Sequence, residues 1–144
     1  MALLDHTIIS IRFSAKGLDL EKTAELLGFT KSDATVSIIK RLKNGRVIWT
    51  VSIDEHVPVS IEEKLTALLG CFTDNFSVWK TTAENVKADV FCGLFQEGFN
   101  QGFSLSPSVL KMLADRDLEI GFDVYAPTGA GDVSAVPEDT EQGL

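Results

Sequence analysis

Residues 87–126 read KADVFCGLFQEGFNQGFSLSPSVLKMLADRDLEIGFDVYA. The order strand, glycine-aromatic loop, helix, strand constrains the fold more than any other part of the chain. Ala88, Val90, Cys92 and Leu94 alternate with Asp89, Phe91, Gly93 and Phe95. Both faces of that strand are largely apolar, which predicts a central, covered position. Ser106 stands where a side-chain oxygen caps a helix, and Pro107 follows at the first helical position, where its missing N–H does no harm. Leu110, Leu113 and Ala114, with Val109 near them, are expected to face inward. In the last strand, 118–125, Ile120, Phe122 and Val124 share one side and Asp123 and Tyr125 the other.

The preceding residues supply partners for this unit. Ile9, Ile11 and Phe13 alternate with Ser10 and Arg12, a half-buried strand over 6–13, with Ile8 adding apolar character to its second face. Asp19 caps a predicted helix over 20–27, ended by Gly28. Asn44-Gly45 between apolar runs predicts a hairpin turn, since both residues accept positive φ. On its second arm Val47, Trp49, Val51 and Ile53 point one way and Ile48, Thr50 and Ser52 the other. Trp49 is expected in the core, its indole N–H on a backbone carbonyl or water. Ser60 and Glu63 form a capping box before Ile61, Leu65, Leu68, Leu69 and Phe72 at helical spacing. Thr73 or Asp74 is expected to cap a further helix whose buried stripe is Phe76, Trp79, Ala83 and Val86.

Both ends of the chain therefore read strand, polar-glycine loop, helix, strand. This order predicts an α+β fold: two β-α-β halves sharing one mainly antiparallel sheet, a ferredoxin-like or split βαβ duplication, with helices packed on one face. Connections between parallel strands are expected to be right-handed. Residues 1–126 form the single expected domain. Residues 127–144 are small, acidic and glycine-containing, and are expected to stay disordered because they bury too little apolar surface to offset the entropy of ordering.

Charge restricts the partners. The chain has 21 Asp and Glu against 13 Lys and Arg, a net −8. Without Asp132, Glu138, Asp139 and Glu141 of the terminal segment, 17 acidic residues face the same 13 basic ones. Such a balance argues against nucleic acid, which is bound by neutralising phosphates. The cluster Lys40, Arg41, Lys43 and Arg46 straddles the predicted turn and reads as a solvated hairpin tip. No apolar run reaches the roughly 18–20 residues of a membrane span. The start lacks the basic, apolar pattern of a signal peptide. Cys71 and Cys92 have neither metal nor disulfide spacing, so two reduced, buried thiols in a cytoplasmic protein are expected.

The sequence holds no convincing catalytic set, and no cofactor or metal site is expected. His6 and His56 have no fixed spacing to either cysteine. Asp54, Glu55 and His56 form the only acid–imidazole cluster, more readily a solvated loop than a converged site. The loop GFNQGF lacks the lysine and hydroxyl of a phosphate loop and matches no dinucleotide fingerprint. Its glycines Gly98 and Gly102 serve the backbone, and its Phe rings suit packing over the sheet end. Its functional alternative is a rim of aromatic and amide groups around a pocket or partner surface. The candidate binding residues are accordingly Phe99, Asn100, Phe103, Asp54 and His56.

The pattern Gly98-Phe99-Asn100, Gly102-Phe103, Leu105-Ser106-Pro107, Leu110, Leu113, Leu118-Glu119-Ile120 and Asp123-Val124-Tyr125-Ala126 resembles the C-terminal half of a bacterial domain-of-unknown-function family, number 4279. Gly17-Leu18-Asp19, Glu25-Leu26-Leu27-Gly28 and Val47-Ile48-Trp49 extend the resemblance over residues 6–126. The family often carries a Trp-Gly pair where this chain has Leu42-Lys43-Asn44-Gly45. The resemblance transfers no catalytic residues, and it implies by analogy a small protein-binding domain such as a toxin-neutralising immunity protein. A basic protein target is expected from the net charge, with a small-molecule-sensing regulatory domain as the alternative. A homodimer through a strand edge is compatible with either.

Overall fold

The computed structural model describes residues 6–53, 59–95, 102–125 and 141–142. In chain order these form β1 His6–Lys16, α1 Leu20–Leu26, β2 Thr35–Arg41, β3 Arg46–Ile53, α2 Ile61–Leu69, α3 Phe76–Ala83, β4 Lys87–Phe95, α4 Pro107–Asp115, β5 Glu119–Tyr125 and the two-residue β6 Glu141–Gln142. The strands make one mixed sheet in the order β5-β4-β1-β3-β2-β6. Every pairing is antiparallel except β4 with β5, which the α4 crossover makes parallel. The fold is therefore α+β with a mainly antiparallel sheet.

Local signals set most boundaries. The Asp19 carboxylate accepts from the Lys22 N–H at 3.1 Å and opens α1, and Gly28 ends it at φ +60°. Ser60 accepts from the Glu63 N–H at 3.2 Å at the start of α2. Ser106 accepts from the Val109 N–H at 3.3 Å at the start of α4. These side-chain oxygens satisfy donors that the first helical turn leaves unpaired. The cap of α3 differs from expectation: it is Asn75, which accepts from the Ser77 N–H. Thr73 instead accepts from the Asn75 N–H, so it shapes the approach to the helix rather than its first turn. The hairpin also differs in detail. Only Gly45 takes positive φ, +87°. The Gly45 N–H donates to the Leu42 carbonyl and the Leu42 N–H to the Arg46 carbonyl, the pattern of a turn closed by a glycine bulge.

Register places the alternating residues on two distinct faces. Ile9, Ile11 and Phe13 stand opposite Ile53, Val51 and Trp49 on one side and Cys92, Val90 and Ala88 on the other. These residues, with Ile39, meet Leu27, Leu65, Leu68, Leu69, Phe72, Trp79, Val109 and Leu113 in one apolar cluster. The helical side chains thus reach the sheet from a single face. Phe13 lies 5.1 Å from the Trp49 ring and 5.6 Å from Phe72, and the latter lies 5.7 Å from Trp79. The Trp49 indole donates to the Ser37 hydroxyl at 2.8 Å, not to a carbonyl or water. Ser37 is itself buried, at the β2 position opposite Val51.

Four expectations are corrected by tertiary position. The two β-α-β halves are not equivalent: β3 separates β1 from β2, whereas β4 and β5 are direct neighbours. The sheet also has more strands than a ferredoxin-like fold. β4 is central but covered on one face only, with Phe91 and Phe95 half-buried on the other. Leu110 is 49 % exposed because Val109 and Leu113 supply the buried stripe of α4. Phe76 is 39 % exposed, lying under the Arg116 guanidinium at 5.1 Å, and α3 buries Trp79 instead. Of the acidic terminal segment, Glu141–Gln142 pairs with Ile38 and Ile39 at the β2 edge.

Candidate functional site

With the helices on one face, the other face of the sheet is bare among the described residues. It carries Ile8, Ser10, Arg12 and Ser14 from β1, Ile48, Thr50 and Ser52 from β3, and Asp89, Phe91 and Gly93 from β4, as the pairings require. Val36 and Ile38 extend it across β2, and Tyr125 across β5. A solvent-facing side of an antiparallel sheet is normally polar. Here Ile8, Ile38, Ile48 and Phe91 are half-buried and Val36 is exposed. Phe95 and Tyr125 stack at 4.6 Å with their rings 8° from parallel. The face is thus apolar in patches, with two serines joined across the strands by the 2.7 Å contact between the Ser10 and Ser52 hydroxyls.

Charge on this face is organised around Arg12. Its Nε and Nη2 donate to the two Asp89 oxygens at 3.0 and 2.7 Å, a planar two-point pair. That hydrogen-bonded carboxylate raises the Arg12 pKa above its ordinary value, against a smaller opposing effect of burial. The guanidinium also lies 5.1 Å from the Phe91 ring centre, within cation–π range. Beside the pair is a shallow cleft of about 160 Å³ lined by Arg12, Ser14, Ile48, Lys87 and Asp89. Arg46 donates to the Ser14 hydroxyl at 3.0 Å. The arrangement can hold an anionic or hydrogen-bonding side chain against an aliphatic wall.

Asp54, His56, Phe99 and Asn100 lie outside the described residues. Phe103 is 37 % exposed. Its ring lies 5.3 Å from Phe122, which stands beside Cys92 on the helix-bearing side, so Phe103 is not part of the bare face. Arg12, Asp89, Phe91, Ile48 and Lys87 were not singled out. Their signal was present as the second phase of each alternating strand. What was absent was the knowledge that all these second phases share one uncovered side.

A second polar feature is internal. Lys64 on α2 is 2 % exposed, and its ammonium donates to the Thr7 carbonyl at 2.9 Å and the Thr7 hydroxyl at 3.0 Å. Cys92 nearby is fully buried and unpaired with any other cysteine. Burial pushes its thiol up to about 11, while the Lys64 charge pulls it the other way. The Cys71 thiol is also raised by burial, against a lowering contact from Ser32. Raised thiols are poor nucleophiles, so neither cysteine is poised for covalent chemistry at neutral pH. Among the described residues no cluster of three or more His, Cys, Asp or Glu could hold a metal ion. No helix among them is long and apolar enough to cross a membrane.

No curated protein and no solved structure matches the chain. The model of the domain of unknown function DUF4279 matches residues 6–127, which takes in β1 through β5, both faces of the sheet and the cleft beside Arg12; the chain belongs to that family.

Proposed function

We propose that this protein is a non-catalytic binding module that engages a protein partner through the open face of its sheet. The carrying observation is the one-sided placement of the helices, which leaves half-buried Ile8, Ile48 and Phe91 on a side where strand alternation would ordinarily put polar residues. Apolar patches rimmed by polar and charged groups mark interaction surfaces. The order β4-β1-β3-β2, with β3 inserted between β1 and β2, supports a ferredoxin-like, split βαβ reading of that part of the sheet, with α4 and β5 added outside it. Two buried, unpaired thiols support an intracellular, cytoplasmic setting. The excess of acidic residues disfavours a nucleic-acid partner.

The test is site-specific photocrosslinking in the native host from Thr50, at the centre of the open face, with Lys22 on α1 as control. The expected result is one adduct of defined mass from position 50, absent from position 22 and lost when Ile48→Glu is added. An adduct at twice the 15.7 kDa chain mass assigns the face to a second copy of this chain. Equal labelling from both positions overturns the reading.

A second reading is a small-molecule-sensing domain, favoured by the cleft beside Arg12. A thermal-shift screen of anionic metabolites tests it: a shift that Lys87→Gln removes supports sensing, and no shift across the panel counts against it.

A further inference from the structure

We propose that the hairpin end of the open face docks an acidic, carboxylate-rich segment of the partner protein; this rests on the open face being the working surface. Register sets Lys16 directly opposite Arg46, and Ser14 between Ile48 and Lys87, with Arg12 opposite Asp89 one step further along. Arg12, Lys16, Arg46 and Lys87 therefore gather in one corner, with Asp89 among them and Glu119, opposite Asp89 on β5, at its border. This occurs in a chain of net charge −8, so the corner has the opposite sign to the molecule as a whole.

The corner is not compensated internally. Asp89 gives both oxygens to Arg12. Arg46 donates to the Ser14 hydroxyl. Among the described residues Lys16 and Lys87 have no ion-pair partner. Like charges directly opposite on neighbouring strands cost stability, and an arriving carboxylate relieves that repulsion. The guanidinium of Arg12 still has N–H groups beyond the two bound to Asp89. The cleft of about 160 Å³ has room for one carboxylate-bearing side chain. Ile48 gives the aliphatic stem of a Glu an apolar wall. A nucleic acid would need a long cationic track and would meet the acidic remainder of the molecule, whereas a short acidic segment needs only this corner.

The test uses a fluorescein-labelled oligoglutamate peptide and the full chain, read by anisotropy at low salt. Saturable binding is expected, weakening with added salt. Lys16→Gln combined with Lys87→Gln should lower the affinity by about tenfold, as loss of two exposed ion pairs allows, while Lys22→Gln on α1 leaves it unchanged. Both lysines are exposed, and circular dichroism of the variants verifies the fold. Absence of binding at low salt overturns the proposal, as does equal weakening by Lys22→Gln. Tighter binding of an oligo(dT) strand, lost in the same double variant, overturns it in favour of nucleic acid. If the peptide fails while the Thr50 crosslink persists, the open face works by other chemistry; if both fail, the binding-module reading falls with it.

Discussion

Lys64 holds Thr7 by two bonds at once, donating to its carbonyl at 2.9 Å and its hydroxyl at 3.0 Å across the interface between α2 and β1. A lysine that is 2 % exposed is costly unless its ammonium is well bonded. Here it ties a helix to the start of the central strand. Removing the ammonium leaves buried acceptors without this donor. Lys64→Ala is expected to cost about 2–4 kcal/mol, combining the lost charged hydrogen bonds with a cavity. Lys64→Met, which keeps the stem, should cost less. Urea unfolding checks both, and a loss below about 0.5 kcal/mol for the alanine variant would show the contact to be incidental.

Ser37 and Trp49 form a buried polar pair between β2 and β3, joined at 2.8 Å. Ser37→Ala strands the indole N–H in the core, an expected loss of about 1–3 kcal/mol. In the Trp49→Phe background the serine has no indole to serve, so its removal should cost markedly less. A double-mutant cycle by chemical denaturation should return a coupling of about 1 kcal/mol, and additive losses would exclude the pair as a unit.

Cys92 gives stability a signature at high pH. Its folded pKa of about 11 exceeds the ordinary 9.0 because burial disfavours the thiolate. Below pH 9.0 both folded and unfolded chains keep the proton, and the contribution is whole. Between those two values the unfolded chain releases a proton that the folded chain holds, so stability falls as pH rises, by about 3 kcal/mol in all. Cys92→Ala should flatten this part of the stability–pH curve relative to the parent chain. Coincident slopes would mean that the thiol ionises alike in both states. In the native protein the same burial predicts slow alkylation of Cys92 at pH 8, accelerating only on unfolding.

Arg12 and Asp89 make the most regular ion pair on the open face, yet the Arg12 side chain is 44 % exposed. Solvent screening limits its worth, and Arg12→Gln should change stability by less than about 1 kcal/mol. The same substitution is expected to weaken the partner contact made through the cleft. Thermal unfolding alongside crosslinking yield from position 50 separates the two effects. A large loss of stability with unchanged crosslinking would assign the pair to the scaffold alone.

Local chemistry made much of the fold legible from the residues alone. Asp19, Ser60 and Ser106 cap helices where expected because the interaction needs only the next few residues. The alternations in β1, β3 and β4 named the right inward sets, since the pleat has a period of two whatever the neighbours are; in β5 the alternation named the side, but Phe122 and Val124 there are 42 % and 60 % exposed at the sheet edge. Misreadings arose where a neighbour elsewhere in the chain decided. Helical spacing puts Phe76 in the buried stripe of α3, but its ring lies under the Arg116 guanidinium. Leu110 suited an inward position by spacing, but the sheet reaches α4 from the side of Val109 and Leu113. β4 was expected to be covered on both faces because Phe91 and Phe95 are apolar, although every helix packs on the other side.

The working surface proposed for this protein divides along the same line. The amino-acid sequence by itself determined the elements, their caps, the turn at Gly45 and membership of a family whose pattern spans residues 6–127, because these depend on short-range sterics and hydrogen bonds. Only the tertiary structure decided that β3 lies between β1 and β2, that α1 to α4 share one face, and that Arg12, Lys16, Arg46 and Lys87 converge across three strands. The physical reason is that a strand's second face carries no instruction about its cover. Whether a side chain there meets a helix, solvent or a partner depends on where the connecting chain crosses, and that is set by the packing of the whole sheet.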